Sequence, residues 1–418
     1  MRYLLVLIDG LADTPLPELG GKTPLEAANT PVIDKLALDG RLGTIRTVPR
    51  GQAPETLAAL FTLLGYPPGP YLTGRGYYEA LASGVVLGEG EWAFRLQFVT
   101  VNSGKIVDSR AGGLSDDEGR ELIKVLDGQF NHARMRFIVG HRHNHLLVVE
   151  GTDFSGSSTV NPFNVLNLPL SEALPEGPGR EVLKKLIDEA PSALAKHEIN
   201  RVRIDLKQNP ANGIWPWGGG TAVDVPGFAK TFGLEGTMIS YSPLFRGVAV
   251  ASGIRVVTPG GSVLPRMTDP SGRLKRVEVD ALETRAGETE EIKKTCDTVK
   301  KSLAEGALVI AHFSYPDDHS HLGDVHAKVK SIELIDKHFF KPIAKELEKS
   351  GDVRLTVVPT LMSRVETRQH DDRPVPFMMW GPGIESRSQL TLTEANADSS
   401  GIKIDDGTRL IDYILNGL

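Results

Sequence analysis

Cysteine is almost absent from this chain. Cys296 stands alone among 418 residues, so no disulfide can form within the chain and no cysteine-based metal cluster can be built. A reducing, cytosolic setting is the corresponding expectation. Long apolar runs are also missing. The stretch Tyr3–Ile8 is too short for a signal-peptide core, and no cleavage-site pattern follows it. No window approaches the roughly 20 apolar residues of a membrane span. A cytoplasmic protein without a membrane partner is therefore expected. There is no excess of positive charge either. The formal net charge is −6, which argues against a nucleic-acid partner while leaving room for a local basic pocket for an anion. Internal repeats and low-complexity tracts are absent too. What is present is the composition of a globular chain, 40% hydrophobic and 24% charged. Its length calls for two domains, or one large domain with an insertion.

Histidine is scarce as well, with 11 in the chain. Four of them, His312, His319, His321 and His326, fall in "AHFSYPDDHSHLGDVHAKVKSIELIDK" beside Asp317, Asp318 and Asp324. The segment follows the apolar strand Leu308–Phe313, so it reads as a loop at a strand's C-terminal end. Asp317 and His321 are four apart and can converge on one ion. Carboxylate oxygen with imidazole nitrogen suits Zn, Mn and related divalent ions. The alternative is a solvated polar loop. His370, in "QHDDRPVPF", is a further candidate, and a structural histidine is the alternative there.

The chain opens with "YLLVLIDG", a run that reads as a strand buried on both faces. Asp9 then stands at the strand's C-terminal end, where ligands bind in open α/β sheets; a capping or turn role is the other reading. Thr23 and Thr30 are candidate N-caps, each followed by proline. "APETLAALFTLLGY" predicts a helix with Thr56 in or near its first turn. A hydroxyl there can be a nucleophile, because the backbone N–H groups favour an anion, or simply a cap. From about residue 93 to 175 the texture shifts to alternating strands and one helix, as in a small α+β insertion. "WGGG" at 217 to 220 is a weak phosphate-loop signal and a better tight turn. The second half returns to α/β. The fold expected is an αβα sandwich, residues 1–92 and 176–418, interrupted by a smaller α+β domain, residues 93–175.

Several motifs together resemble the archaeal-type cofactor-independent phosphoglycerate mutases of the alkaline phosphatase superfamily. They are "LIDG", "LGGKTPLEAANTPVIDKLALDG", "LLGYPPGPYLTGRGYYEA", "AFRLQFVTV", "DSRAGG", "HEINRVR", "NPANGIWPWGGG", "HFSYPDDHSHLGDVHAKVKSIELID" and "HDDRPVPF". The resemblance spans nearly the whole chain. It implies an alkaline-phosphatase-like sandwich and two divalent ions flanking a Ser or Thr nucleophile, which together move a phosphoryl group between the two hydroxyls of a glycerate. It also implies arginines from the inserted domain that hold the substrate.

Carried over by position, Asp317, His321 and His370 match one ion's ligands, and His312 is a supporting position. Asp9 matches the first ligand of the other ion, and Thr56 falls at the nucleophile position. The acidic residue that usually follows is Leu57 here. The Asp-His pair that should complete the second ion is replaced by Thr360 and Leu361, and no aspartate or histidine lies between Asp352 and His370. On the substrate side Arg75, Arg95 and Arg110 remain. Ser109 and Gly113 replace arginines, and Asn144 replaces another between His143 and His145. The resemblance thus implies a diverged mutase-like protein with at most one divalent ion, Zn or Mn, non-catalytic or altered in activity, whose partner is a small phosphorylated ligand or a protein. Two alternatives stand beside it. One is a working mutase interconverting 3-phosphoglycerate and 2-phosphoglycerate, with Glu55, Asp318 or His319 as replacement ligands. The other is a docking subunit of a larger complex.

Overall fold

The computed structural model describes residues 1–130, 134–264, 287–385 and 389–417. In chain order the strands begin with β1 (Arg2–Ile8), β2 (Arg41–Ile45), β3 (Glu91–Asn102), β4 (Lys105–Asp108) and β5 (Met135–His141). They continue with β6 (Asn144–Glu150), β7 (Gly213–Gly220), β8 (Gly236–Ile239), β9 (Arg255–Val257) and β10 (Leu308–Phe313). The last are β11 (Val353–Val358), β12 (Met362–Arg364), β13 (Gln369–Asp371), β14 (Val375–Trp380) and β15 (Lys403–Ile404).

The described residues form two compact units. The first takes Met1–Leu72 and the described residues from Val225 onward. Its main sheet has the order β15-β2-β14-β11-β1-β10-β8-β9. The apolar run at the N-terminus becomes its central strand because β1 has parallel neighbours on both sides, β10 and β11. A strand with two neighbours and two covered faces must be apolar throughout. Leu4, Leu5, Val6, Leu7 and Ile8 are all fully buried. The helices Glu288–Glu305 and Val325–Ile335 contribute Ile292, Val299, Ile332 and Ile335 to the same core. The parallel set β1, β10 and β11 ends at one edge, so Asp9, the segment after Phe313 and the segment after Val358 emerge together there.

The second unit is Thr73–Asp224. Its sheet runs β4-β3-β6-β5, with β7 paired to β3. Helices Asp116–Phe130 and Arg180–Leu194 cover it, burying Leu122, Leu126, Leu183 and Leu186 with Phe94 and Leu147. This unit is wider than the 93–175 read from texture. The long strand β3 recruits β7 from beyond residue 175, and the helix Arg75–Ala82 packs on β3 from before residue 93. Such pairings cross long stretches of sequence and leave no compositional mark.

Two local expectations also change. Residues 217–220 are not a tight turn: they finish β7, and the Gly218 N–H is already donated to Thr159 Oγ1 at 2.9 Å. Thr23 caps its helix through a complete capping box with Glu26, whereas Thr30 holds the N-cap position before Pro31 without a side-chain capping bond.

Candidate metal centre

The segment read as a loop after β10 is a helix, Tyr315–Leu322. Pro316 sits in its first turn and Gly323, in the left-handed conformation, closes it. The i, i+4 spacing of Asp317 and His321 therefore puts both on one face. The helix can start so close to β1 only because residue 10 is glycine. Its φ is +75°, and a Cβ there would stand 2.3 Å from the Asp317 nitrogen. The Asp317 N–H is donated to the Asp9 carbonyl at 3.1 Å.

His370 arrives from the β12–β13 hairpin, where it pairs in register with Ser363. The two converge on one carboxylate oxygen: Asp317 Oδ1 accepts from Ser363 Oγ at 2.5 Å and lies 3.0 Å from His370 Nε2. Asp317 Oδ2 lies 3.4 Å from His321 Nε2. Among the described residues, Asp317, His321 and His370 form the one group able to offer three ligand atoms within 4.8 Å of one another.

The donor set fits a divalent ion. His321 Nδ1 faces the Arg368 carbonyl at 2.9 Å; a carbonyl can only accept, so Nδ1 carries the proton and Nε2 is left to ligate. The electrostatics favour a cation as well. Burial alone would push the Asp317 carboxyl up, but the His321 and His370 rings hold it well below the usual carboxylate range. Burial alone would lower His321, but the Asp317 charge raises it to about 9.

The other half is built differently. Asp9 is buried at the end of β1. The Thr360 hydroxyl donates to its Oδ1, and His312 Nε2 lies 2.9 Å from its Oδ2. His312 Nδ1 meets Ser240 Oγ at 2.8 Å, and Phe245 stacks on the imidazole at 3.5 Å. Both carboxylate oxygens are thus engaged within the protein, and Ser240 at the far end of this chain of contacts is fully buried. Leu361 is buried with Val48 and Ala59. Thr56 is the first residue of the helix Thr56–Leu63, with exposed Glu55 as its N-cap and buried Leu57 behind it.

The proposed replacement ligands have other places. Asp318 accepts from Ser314 Oγ at 3.2 Å, and His319 faces Glu288 at 3.5 Å. His326 is exposed near Glu18. Sequence reasoning missed Ser363, Ser240 and the buried pair Lys328–Asp13, whose ammonium also donates to the Ser363 carbonyl. No local signal marks the two serines. Lysine on a buried helix face was the one visible clue to Lys328.

In the second unit Arg75 Nη2 and Arg95 Nη1 share Glu79 Oε1, at 2.8 and 3.0 Å. Arg95 also donates to Asn144 Oδ1 at 3.1 Å. Both guanidinium groups lie over Trp217, at 4.7 and 5.7 Å. Burial would raise Glu79, but Arg95 and Arg75 hold it below the ordinary carboxylate range. Arg110 is placed elsewhere, over Phe163 at 5.5 Å. The Asp108 carboxylate accepts from the N–H groups of Arg110 and Gly112, ordering the turn that carries Ser109 and Gly113. The carbonyl of the buried Ser109 accepts from Gln97 Nε2 at 2.6 Å.

No helix of the described residues is long and apolar enough to cross a membrane. The family model described as "2,3-bisphosphoglycerate-independent phosphoglycerate mutase" matches residues 37–200. A protein of that name from Methanothrix thermoacetophila is 34% identical over 418 residues, covering 100% of both chains. One from Geobacter sulfurreducens, named as a probable enzyme of this kind, is 34% identical over 421 residues, also covering 100% of both. Among solved structures, a Pyrococcus horikoshii protein superposes with a TM-score of 0.72 at 22% identity, covering 99% of this chain and 96% of its own. The cofactor-independent phosphoglycerate mutase of Thermoplasma acidophilum gives 0.53 at 23%, covering 99% and 98%. These two share the fold expected from the sequence. With full-length relatives at this identity, the chain belongs to the 2,3-bisphosphoglycerate-independent phosphoglycerate mutase family.

Proposed function

We propose that this chain binds one divalent ion through Asp317, His321 and His370 and engages a phosphorylated small acid of the phosphoglycerate class, without a two-ion phosphoryl shuttle. The observation that carries this reading is Thr360 donating to Asp9. A hydroxyl stands where a second ion's carboxylate ligand would be needed, and Leu361 faces an apolar cluster where the histidine would be needed. Asp9 and Thr56 alone are too few ligands for a second ion. An ion bound at the first site would supply Lewis-acid stabilisation of phosphoryl oxygens. The protein's own part is to orient that site: Ser363 fixes one Asp317 oxygen and the Arg368 carbonyl fixes the His321 tautomer.

A second reading is a working mutase that interconverts 3-phosphoglycerate and 2-phosphoglycerate. It is favoured by full-length kinship with proteins of that name and by Thr56 at a helix start. The relatives' names support it more directly than they support the first reading. One experiment separates the two. The purified chain is loaded with Mn or Zn, desalted, analysed for ions per chain and assayed for 3-phosphoglycerate conversion with an enolase couple. The first reading expects one ion and a rate at least about 100- to 1000-fold below an ordinary mutase, the loss typical of one missing transition-state contact. Two ions with turnover on the order of 1–1000 per second would overturn it and establish the second.

A further inference from the structure

We propose that the buried Lys328–Asp13 ion pair is a positioning device for the metal centre: it holds the β12–β13 hairpin, and with it Ser363 and His370, in place against Asp317. The inference rests on the single-ion reading above and adds residues that no ligand pattern points to.

The candidate ligands come from two separate pieces of chain. Asp317 and His321 lie on the helix Tyr315–Leu322, and His370 lies on the hairpin. An ion can use all three only if these pieces keep a fixed relation. Contacts made by the ligands themselves, such as Ser363 to Asp317 and His321 to the Arg368 carbonyl, are part of that relation. The rest comes from behind the site. The helix Val325–Ile335 follows the ligand helix almost directly and carries Lys328, whose side chain is 0% exposed. Its ammonium donates to the Ser363 carbonyl at 2.7 Å and to Asp13 Oδ2 at 2.6 Å. The same Asp13 oxygen accepts from the Val365 N–H at 3.1 Å. The end of β12 is therefore gripped at two backbone points, the carbonyl of residue 363 and the N–H of residue 365. A third tie runs from the Ser363 N–H to the Ala12 carbonyl at 3.1 Å. Asp13 is itself held, since its N–H is donated to Glu394 Oε1 at 3.0 Å and its Oδ1 accepts from the Thr14 N–H at 2.7 Å.

A buried ion pair is a poor device for stability alone, because desolvation of two charges offsets most of their attraction. Apolar residues of similar size would fill the same space. What they could not do is grip a carbonyl and an N–H two residues apart where β12 runs into its turn. That capacity is what the pair supplies to Ser363, the cross-strand partner of His370.

The test compares wild type, D13N and the double variant D13N/K328M, each as the full chain. D13N keeps the shape and one of the two acceptor oxygens while removing the charge. The double variant neutralises both partners, which avoids an unpaired buried charge. Three quantities are read well below the melting temperature: the dissociation constant for Mn or Zn, the visible spectrum of the Co(II)-loaded protein, and hydrogen exchange across residues 362–371 in the metal-free protein. The double variant is expected to bind the ion 10- to 100-fold more weakly, the range seen for groups behind a metal's ligands. Its cobalt spectrum should be altered and its hairpin should exchange at least tenfold faster. D13N should fall between it and wild type. A wild type that binds an ion, with variants matching it within twofold in affinity and unchanged in spectrum and exchange, overturns the positioning role alone. A wild type that binds no ion overturns the single-ion reading and this role with it.

Discussion

Placing at residues 360 and 361 the Asp-His pair that the family resemblance implies gives the sharpest test of how the site is built. The double substitution Thr360→Asp, Leu361→His removes the hydroxyl that donates to Asp9 and sets a second carboxylate against it. A hydrogen bond to a charged group is worth about 1.5–3 kcal/mol. Two carboxylates about 4 Å apart repel by roughly 4 kcal/mol at an effective dielectric near 20. An imidazole placed among Val48 and Ala59 without a partner adds about 1–3 kcal/mol. Protonation of one carboxyl relieves part of the repulsion, so the metal-free variant should lose on the order of 4–7 kcal/mol. An ion bound only by the folded state returns about 4 kcal/mol at a thousand times its dissociation constant. The assay is a melting curve with and without Mn or Zn. Wild type should melt almost independently of a second equivalent. The variant should melt lower without metal and recover by on the order of 5 °C with it, while ions per chain rise by one. A variant that melts identically with and without metal, at the wild-type ion count, would show that the space between Asp9 and Thr360 is not a second-ion position.

Other outcomes follow from the same geometry. His321→Ala, which removes one of the three candidate ligands, should abolish tightly bound metal on elemental analysis after desalting; unchanged metal content would remove Asp317, His321 and His370 as the site. Gly10→Ala should cost about 1–2 kcal/mol for its left-handed backbone alone, and more for the Cβ 2.3 Å from the Asp317 nitrogen, measured as a lower denaturation midpoint together with weaker metal binding. His145 should make the protein acid-sensitive. Burial, the largest influence, pushes it down to about 3, and its Nδ1 accepts from the Gly140 N–H while Nε2 faces the Arg142 carbonyl at 2.8 Å. The unfolded chain therefore binds a proton that the folded chain refuses between about pH 6.5 and pH 3. Its contribution is fully present above the unfolded value and is lost as pH falls, at about 1.4 kcal/mol per pH unit. Urea midpoints at pH 7, 6 and 5 should fall more steeply for wild type than for His145→Gln; parallel curves would refute this.

The chain's own order of residues was enough to determine the pieces that depend on near neighbours. Burial of β1 follows from its apolar run, and the convergence of Asp317 and His321 follows from their spacing, although the helix that delivers it was read as a loop because His, Asp and Ser dominate it. That residues 360 and 361 are threonine and leucine, neither a carboxylate nor an imidazole, was equally legible, since the identity of a residue needs no coordinates. Tertiary structure decided the rest. That Thr360 turns its hydroxyl to an aspartate 351 positions away, that Lys328 reaches Asp13 across 315, and that β7 rejoins β3 to widen the second unit are outcomes of sheet order and packing. Hydrogen bonds form wherever the fold brings donor and acceptor within about 3 Å, and a sequence pattern reports only on partners a few residues away.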